Sequence, residues 1–279
     1  LVKNGAGTLT LLTTNDYSGP TTISAGTLQL GNGTITGTLG PAHVTDNGVL
    51  AFNHPGALSV SNVISGTGSF TKDGTGTLTI SGNNSFSGGT TISGGTVNLN
   101  HANGLGKGPF TLNNSVKRLI LATDLVVTNA ITLSPGVSSG TLGQGLLTGP
   151  SSGSATFAGP INITATVAAG GVFDGGNTSG GLILSGSVTS SVPVIQRAGR
   201  VTYAGGGDYA LLQDFGTVVL GAENGLATNA VLELGSSGST GTFDLAGFNQ
   251  TLNGLQKNGT GTVGNSSATD DSLLTISGV

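Results

Sequence analysis

Lys72-Asp73-Gly74-Thr75-Gly76-Thr77-Leu78-Thr79-Ile80 has a counterpart earlier in the chain, Lys3-Asn4-Gly5-Ala6-Gly7-Thr8-Leu9-Thr10-Leu11. The alignment keeps the Lys3-to-Lys72 offset without a gap as far as Leu30 and Leu99, and 16 of the 28 paired positions are identical. The shared frame continues through Asn15/Asn84, an aromatic at Tyr17/Phe86, Ser18-Gly19/Ser87-Gly88, Thr21-Thr22-Ile23-Ser24/Thr90-Thr91-Ile92-Ser93 and Gly26-Thr27/Gly95-Thr96. A partial third copy, residues 255–263, matches Leu1 to Leu9 at six of nine positions. A repeat of this length points to stacked supersecondary units rather than one closed core.

Inside each copy the signal has period two. Thr8-Leu9-Thr10-Leu11, Thr27-Leu28-Gln29-Leu30 and Thr96-Val97-Asn98-Leu99 put apolar side chains on one face and polar ones on the other, which is a strand pattern. Similar runs occur at 49–52, 57–60, 118–121, 130–133, 161–163, 182–184, 201–203, 217–220, 230–234, 242–245 and 273–276. Each is bounded by Gly, Asn, Ser or Pro, the residues that turn a chain. No helical stripe is sustained anywhere, so the chain reads as almost entirely β.

Composition separates a solenoid from other β folds. Of 279 residues 52 are Gly, while charged residues are only 7%. Disordered chains combine low hydrophobicity with high charge, whereas this one is 35% apolar. Sandwiches and barrels share the strand spacing but need fewer glycine corners. The expected fold is therefore all-β, a right-handed parallel β-helix (β-solenoid), with inward apolar columns and Thr, Ser and Asn columns outside. If the Lys3-to-Lys72 offset spans three coils, each coil has about 23 residues and the chain about twelve coils, a rod roughly 55–60 Å long at the ~4.8 Å strand spacing. Asn15 and Asn84 are candidates for hydrogen-bonded ladders between coils. Residues 1–279 read as a single continuous solenoid whose centre, about 100–220, has lost the repeat signature. The start at Leu1 without Met or a signal n-region, and ends without polar capping coils, read as a segment of a longer repeat protein.

Residues 66–92, from Gly66 through the Lys72 motif to Ile92, resemble the passenger-associated transport repeat, also called the autotransporter-associated β-strand repeat, and residues 1–30 are similar to it. Asn103-Gly104-Leu105-Gly106-Lys107-Gly108-Pro109-Phe110-Thr111-Leu112 and Phe243-Asp244-Leu245-Ala246-Gly247-Phe248-Asn249-Gln250-Thr251-Leu252-Asn253-Gly254-Leu255 resemble segments common between such repeats. The resemblance implies an extracellular right-handed β-helix of a bacterial surface or secreted protein, low in cysteine because it crosses the outer membrane unfolded. The translocating barrel of such proteins has no counterpart signature in this sequence.

Little catalytic chemistry is legible. Cys is absent, which removes disulfides, thiolate metal sites and Cys nucleophiles. The net charge of −4 comes from scattered residues. The only basic neighbours, Lys117-Arg118 and Arg197/Arg200, read as solvated charges on turns, and nucleic acid is not expected as a partner. His43, His54 and His101 read as solvated loop histidines. Gly149-Pro150-Ser151-Ser152-Gly153 fits G-x-S-x-G, but a nucleophile elbow needs a following helix. Asp124, Asp174, Asp208, Asp214, Glu223, Asp244 and Asp270-Asp271 are the carboxylates available to a glycosidase or lyase. A lyase-like patch needs Asp174, Asp208 and Arg197 or Arg200 on one face. Gly205-Gly206-Gly207-Asp208 and Asp174-Gly175-Gly176-Asn177 resemble half of a calcium roll without its nine-residue period. Glycosylation triplets at Asn32, Asn113 and Asn258 follow from turn composition.

The sequence thus assigns no catalytic, cofactor or metal residue and no enzyme activity. The leading expectation is a structural, adhesin-like stalk or passenger segment on the bacterial surface or in the extracellular space. Its partners are itself, through end-to-end or lateral packing, or a host or matrix surface, and no membrane span lies in this chain. A self-assembling extracellular filament subunit and a polysaccharide-active β-helix enzyme are the alternatives.

Overall fold

The Thr/Leu alternation sets the local structure. In Thr77–Ile80, Leu78 and Ile80 are fully buried while Thr77 and Thr79 remain half-buried. The computed structural model describes residues 1–113, 117–134, 145–164, 171–235 and 239–278. Among them the regular elements are short strands of two to five residues, without a helix. The strands pair in parallel as a β-solenoid of about 12 turns. Every strand expected from the alternation forms, with ends shifted by two residues at most.

The turns visit three faces in a fixed order. Face one begins with Val2–Lys3, Thr21–Ile23, Val44–Asp46 and Ile64–Ser65 and resumes from Val126–Val127 to Thr260–Gly264. Face two runs from Thr8–Leu11 to Gly207–Asp208 and ends with Gln250–Leu252 and Leu274–Ile276. Face three runs from Leu58–Val60 to Gly254–Lys257. Inward residues of all three faces merge into one apolar column along the axis. Aromatic rings stack in it, Phe52 on Phe70 at 4.7 Å and Phe70 on Phe86 at 6.0 Å.

A strand that lacks a neighbour would leave buried N–H and C=O groups unpaired, at about 1–3 kcal/mol each. Where a turn makes no strand, an inward amide side chain closes the ladder instead. Among the described residues face one has no strand between Ser65 and Val126, and there the Asn84 Oδ1 accepts from Ile64 N–H at 2.9 Å while its Nδ2 donates to Gly104 O at 2.8 Å. One turn on, Asn129 Nδ2 donates to Gly106 O and Gly108 O. On face two, Gln250 accepts from Leu226 N–H and donates to Leu226 O, joining Gly207–Asp208 to Gln250–Leu252 across the turn at 224–227. Asn15, at the position in the first repeat that Asn84 holds in the second, donates to Thr13 O and Thr38 O. The expected ladders are therefore amide-to-backbone bridges between turns; Asn103 Nδ2 to Asn83 Oδ1 is an Asn-to-Asn link at the surface.

The period differs from three whole coils. On face two Thr8 pairs with Thr27, Thr27 with Val49 and Val49 with Ser69, so three unequal turns separate Thr8 from Ser69. Thr77, the counterpart of Thr8, lies beyond Ser69 on the next strand, on face three rather than face two. The step from one copy to the next is thus three turns plus one face. The third copy obeys the same rotation: Lys3 lies on face one, Lys72 on face two and Lys257 on face three. Turns lengthen between Leu119 and Leu147, Ile131 and Ile161, and Val126 and Thr156, which is where the repeat signature disappears.

Replacing Asn84 with Ala leaves Ile64 N–H and Gly104 O without partners inside the rod, and should cost about 2–4 kcal/mol in urea unfolding. Asn83→Ala, at an exposed neighbour, should stay within about 0.5 kcal/mol. Equal effects of the two substitutions would contradict the bridging role.

Candidate functional site

Each of the two full repeats turns its corner on one lysine, whereas Lys257 of the partial copy is exposed. The side chain of Lys3 enters the corner and donates to Asn4 O (3.1 Å), Gly5 O (2.7 Å) and, on the following turn, Ala25 O (3.0 Å). Lys72 does the same with Gly74 O and with Gly94 O at 3.3 Å. The glycines of K-x-G-x-G are what bring those carbonyls close. A Cβ on Gly95, whose φ is +66°, would sit 2.3 Å from Gly76 O and 2.7 Å from Gly74 O, and Gly26 repeats this above Gly7 and Gly5. Lys72 is fully buried, and burial pulls its ammonium down to about 8, with the Asp73 charge opposing the shift.

Other corners hold a carboxylate in place of the lysine, and there the backbone donates. Asp46, Asp174, Asp214 and Asp244 accept from Gly48, Gly176, Gly216 and Ala246 N–H respectively. Burial pushes the Asp46 carboxyl up to about 6 and the Asp214 carboxyl up to about 7, against hydrogen bonds that favour ionisation. At Asp244 burial raises the pKa, but hydrogen bonds from Ser266 and Ala246 and the Arg200 charge outweigh it and hold the carboxyl below its usual range. These acids are corner posts rather than paired catalytic groups.

The proposed lyase-like patch does not assemble. Asp174 ends a face-three strand, whereas Asp208 lies on face two and accepts from Asn229 Nδ2. Arg197 on face three lies over the Phe215 ring at 5.8 Å, and Arg200 opens a face-one strand. Glu223 accepts from Asn249 N–H, and Asp270 from the Ser267 and Thr269 hydroxyls. Asp124 sits in a turn with φ +63°, and Asp271 is exposed. No His/Cys/Asp/Glu group among the described residues could hold a metal ion. Gly149–Gly153 leads into the strand Ser154–Phe157 rather than a helix. The Asn32 carboxamide accepts from Thr34 and Ile35 N–H within its turn, Asn258 donates to Glu233, and Asn113 is also bonded.

Two expectations are corrected. His54 is not a solvated loop residue: it is fully buried, its Nδ1 lies 2.8 Å from Gly56 O, and Nε2 has no partner. Burial lowers its pKa; the Gly56 hydrogen bond raises it and the Lys72 charge lowers it further. His43 is exposed, and His101 accepts from Asn103 N–H. The arginines are not on turns: Arg118 stands half-buried in the strand Lys117–Leu121, with Nε donating to Thr148 Oγ1 at 3.0 Å, and Arg197 and Arg200 stand half-buried in the strands Val194–Ala198 and Arg200–Tyr203.

The corner carboxyls give a pH signature. Asp214 has a higher pKa folded than unfolded, so the native chain binds more protons between about 4 and 7 and its stability falls as pH rises through that window. Asp46 acts likewise up to about 6, while His54, with a lowered pKa, acts in the opposite sense below 6.5. Lys72 binds fewer protons in the native state between 8 and 10.5, so stability rises with pH there. Thermal unfolding should therefore pass through a minimum near pH 7–8. In Asp214→Asn the fall between pH 5 and 7 should shrink by on the order of a few kcal/mol; an unchanged slope would contradict the assignment.

Comparison with known proteins agrees with the corner geometry. The passenger-associated-transport-repeat family matches residues 1–30 and 70–99, the two segments whose lysines clamp successive turns. The adhesin BmaC autotransporter of Brucella suis biovar 1 (strain 1330) is 46% identical over 57 residues, which is 20% of this chain and 2% of that protein. No solved structure matches the chain. Residues 1–30 and 70–99 are thus passenger-associated transport repeats, carried in a parallel β-solenoid.

Proposed function

We propose that the chain is a stalk-like segment of an adhesin-like autotransporter passenger, working outside the bacterial cell as a stiff spacer. The observation that carries this reading is the repeat itself. Its identical residues serve turn-to-turn stacking: Lys72 and Gly95 at the corner, Asn84 in the ladder, Leu78 in the core. A module selected for stacking extends a rod, and stability in such arrays grows with each neighbouring turn. The relative's name, an adhesin autotransporter, supports the setting. Carboxylates scattered over different faces, with Asp208 and Glu223 each bonded to an asparagine of the following turn, favour a structural role over hydrolysis or elimination, which need groups held at a defined separation.

External protease on intact cells of the source bacterium tests the location, with antibody against this chain as the readout. Loss of the epitope without lysis is expected, and protection until lysis would overturn the reading. A polysaccharide panel tests the structural role: turnover abolished in Asp208→Ala would establish an enzyme instead.

A further inference from the structure

The outer surface of face three carries a groove of about 580 Å³, within the usual range for small-ligand sites. Its floor is the outward column Thr79, Asn98, Ile120 and Thr148, in register on four successive strands. Asn100 and the turn at Pro150 form its sides. Arg118 is the one charged residue among those lining it. Thr148 fixes the guanidinium through Nε, and the two Nη groups have no partner among the described residues. The carboxylate closest in register, Asp174, pairs one strand beyond Thr148 and is turned into its corner to accept from Gly176 N–H.

We propose that this groove binds an acidic glycan, with a sugar carboxylate held by the Arg118 guanidinium. A planar guanidinium anchored at Nε presents its Nη pair to a carboxylate in bidentate geometry. The amides of Asn98 and Asn100 and the hydroxyl of Thr79 both donate and accept, as a saccharide's hydroxyls require. Ile120, half-buried on the floor, offers a small apolar patch to the C–H face of a ring. The groove has no aromatic wall, so a single site should be weak, with Kd on the order of 0.1–1 mM. This goes beyond the spacer reading and does not depend on it, because the groove belongs to the folded rod itself.

Titration of the chain with a galacturonic-acid tetramer, followed by NMR amide shifts, tests the proposal. Saturable shifts on residues of face three around 98–123 are expected, with a neutral galactose tetramer at least tenfold weaker. Arg118→Gln should lose at least tenfold. Asn100→Asp, at an exposed rim position that does not threaten folding, should weaken binding by a similar factor, and Arg197→Gln should leave it unchanged. Acetate competing at the same concentration would reveal a simple anion site, and tighter binding of polyglutamate would reveal an acidic-peptide site. Either result, equal binding of the neutral tetramer, unchanged binding in Asn100→Asp, or no shift at about 10 mM overturns the proposal.

Discussion

A parallel β-solenoid depends on an unbroken hydrogen-bond ladder along its axis, because each turn's backbone is satisfied only by the turns above and below. A gap leaves buried N–H and C=O groups facing each other across a missing strand. Among the described residues such gaps are bridged in both directions by the inward amides of Asn84 and Gln250, while Asn129, Asn15 and Asn62 donate to carbonyls of a neighbouring turn. Asn and Gln suit the task because one side chain can both donate and accept, so it replaces a strand's two-way pairing with little chain. Sites where the solenoid tolerates a loop in place of a strand are thus marked by an amide pointing inward.

The corner is the second recurring device, and it takes either sign of charge. A lysine donates to carbonyls that point into the corner; an aspartate accepts from N–H groups that do. Each is tied to the local direction of the peptide planes, which explains why Lys3 and Lys72 reach equivalent carbonyls although they stand on different faces. The repeat therefore specifies a corner together with the strands on either side of it, on whichever face the chain has reached. A spacing of three turns plus one face places successive copies about a third of a revolution apart around the rod, so features fixed to the repeat are displayed in more than one direction.

Strands with a clear alternation were legible in the sequence because alternation is a local property: Thr77-Leu78-Thr79-Ile80 reads the same in isolation as in the rod, whereas short strands such as Val44–Asp46 and Ser69–Lys72 gave no such pattern. The face on which a strand lies was not legible, since it depends on the length of every preceding corner. Hence the offset from Lys3 to Lys72 read as three coils although the strands count out one face more. The inward polar residues were also hidden. His54, in Asn53-His54-Pro55-Gly56, sits among turn residues and has the composition of a solvated loop, and Asp214, at the end of the strand Leu211–Asp214, reads as one more scattered acid. Burial of a corner residue arises from the turn stacked on it, a full coil away in sequence. Only the repeat identity of Lys3/Lys72 and Asn15/Asn84 carried a signal that those side chains are structural.

Charge scarcity ties these features to the surface. A rod whose corners consume lysine and aspartate internally has few charges left to display; Glu223 and Asp270 are engaged in surface turns, and Glu233 is buried in the strand Val231–Leu234. Most outward columns are then Thr, Ser and Asn, uniform and weakly interacting, as suits a spacer. Against that background Arg197 is a strand residue that lies over the Phe215 ring, while Arg118 is the charged residue that lines the groove. Its position is a strand position rather than a corner, so the backbone has no carbonyl to offer it, and Thr148 satisfies only Nε. The remaining guanidinium N–H groups gain by meeting an external acceptor, and the groove beside them gives such an acceptor room on face three. Specific recognition on a repeat rod arises in this way, where a strand residue departs from the stacking code that its neighbours obey.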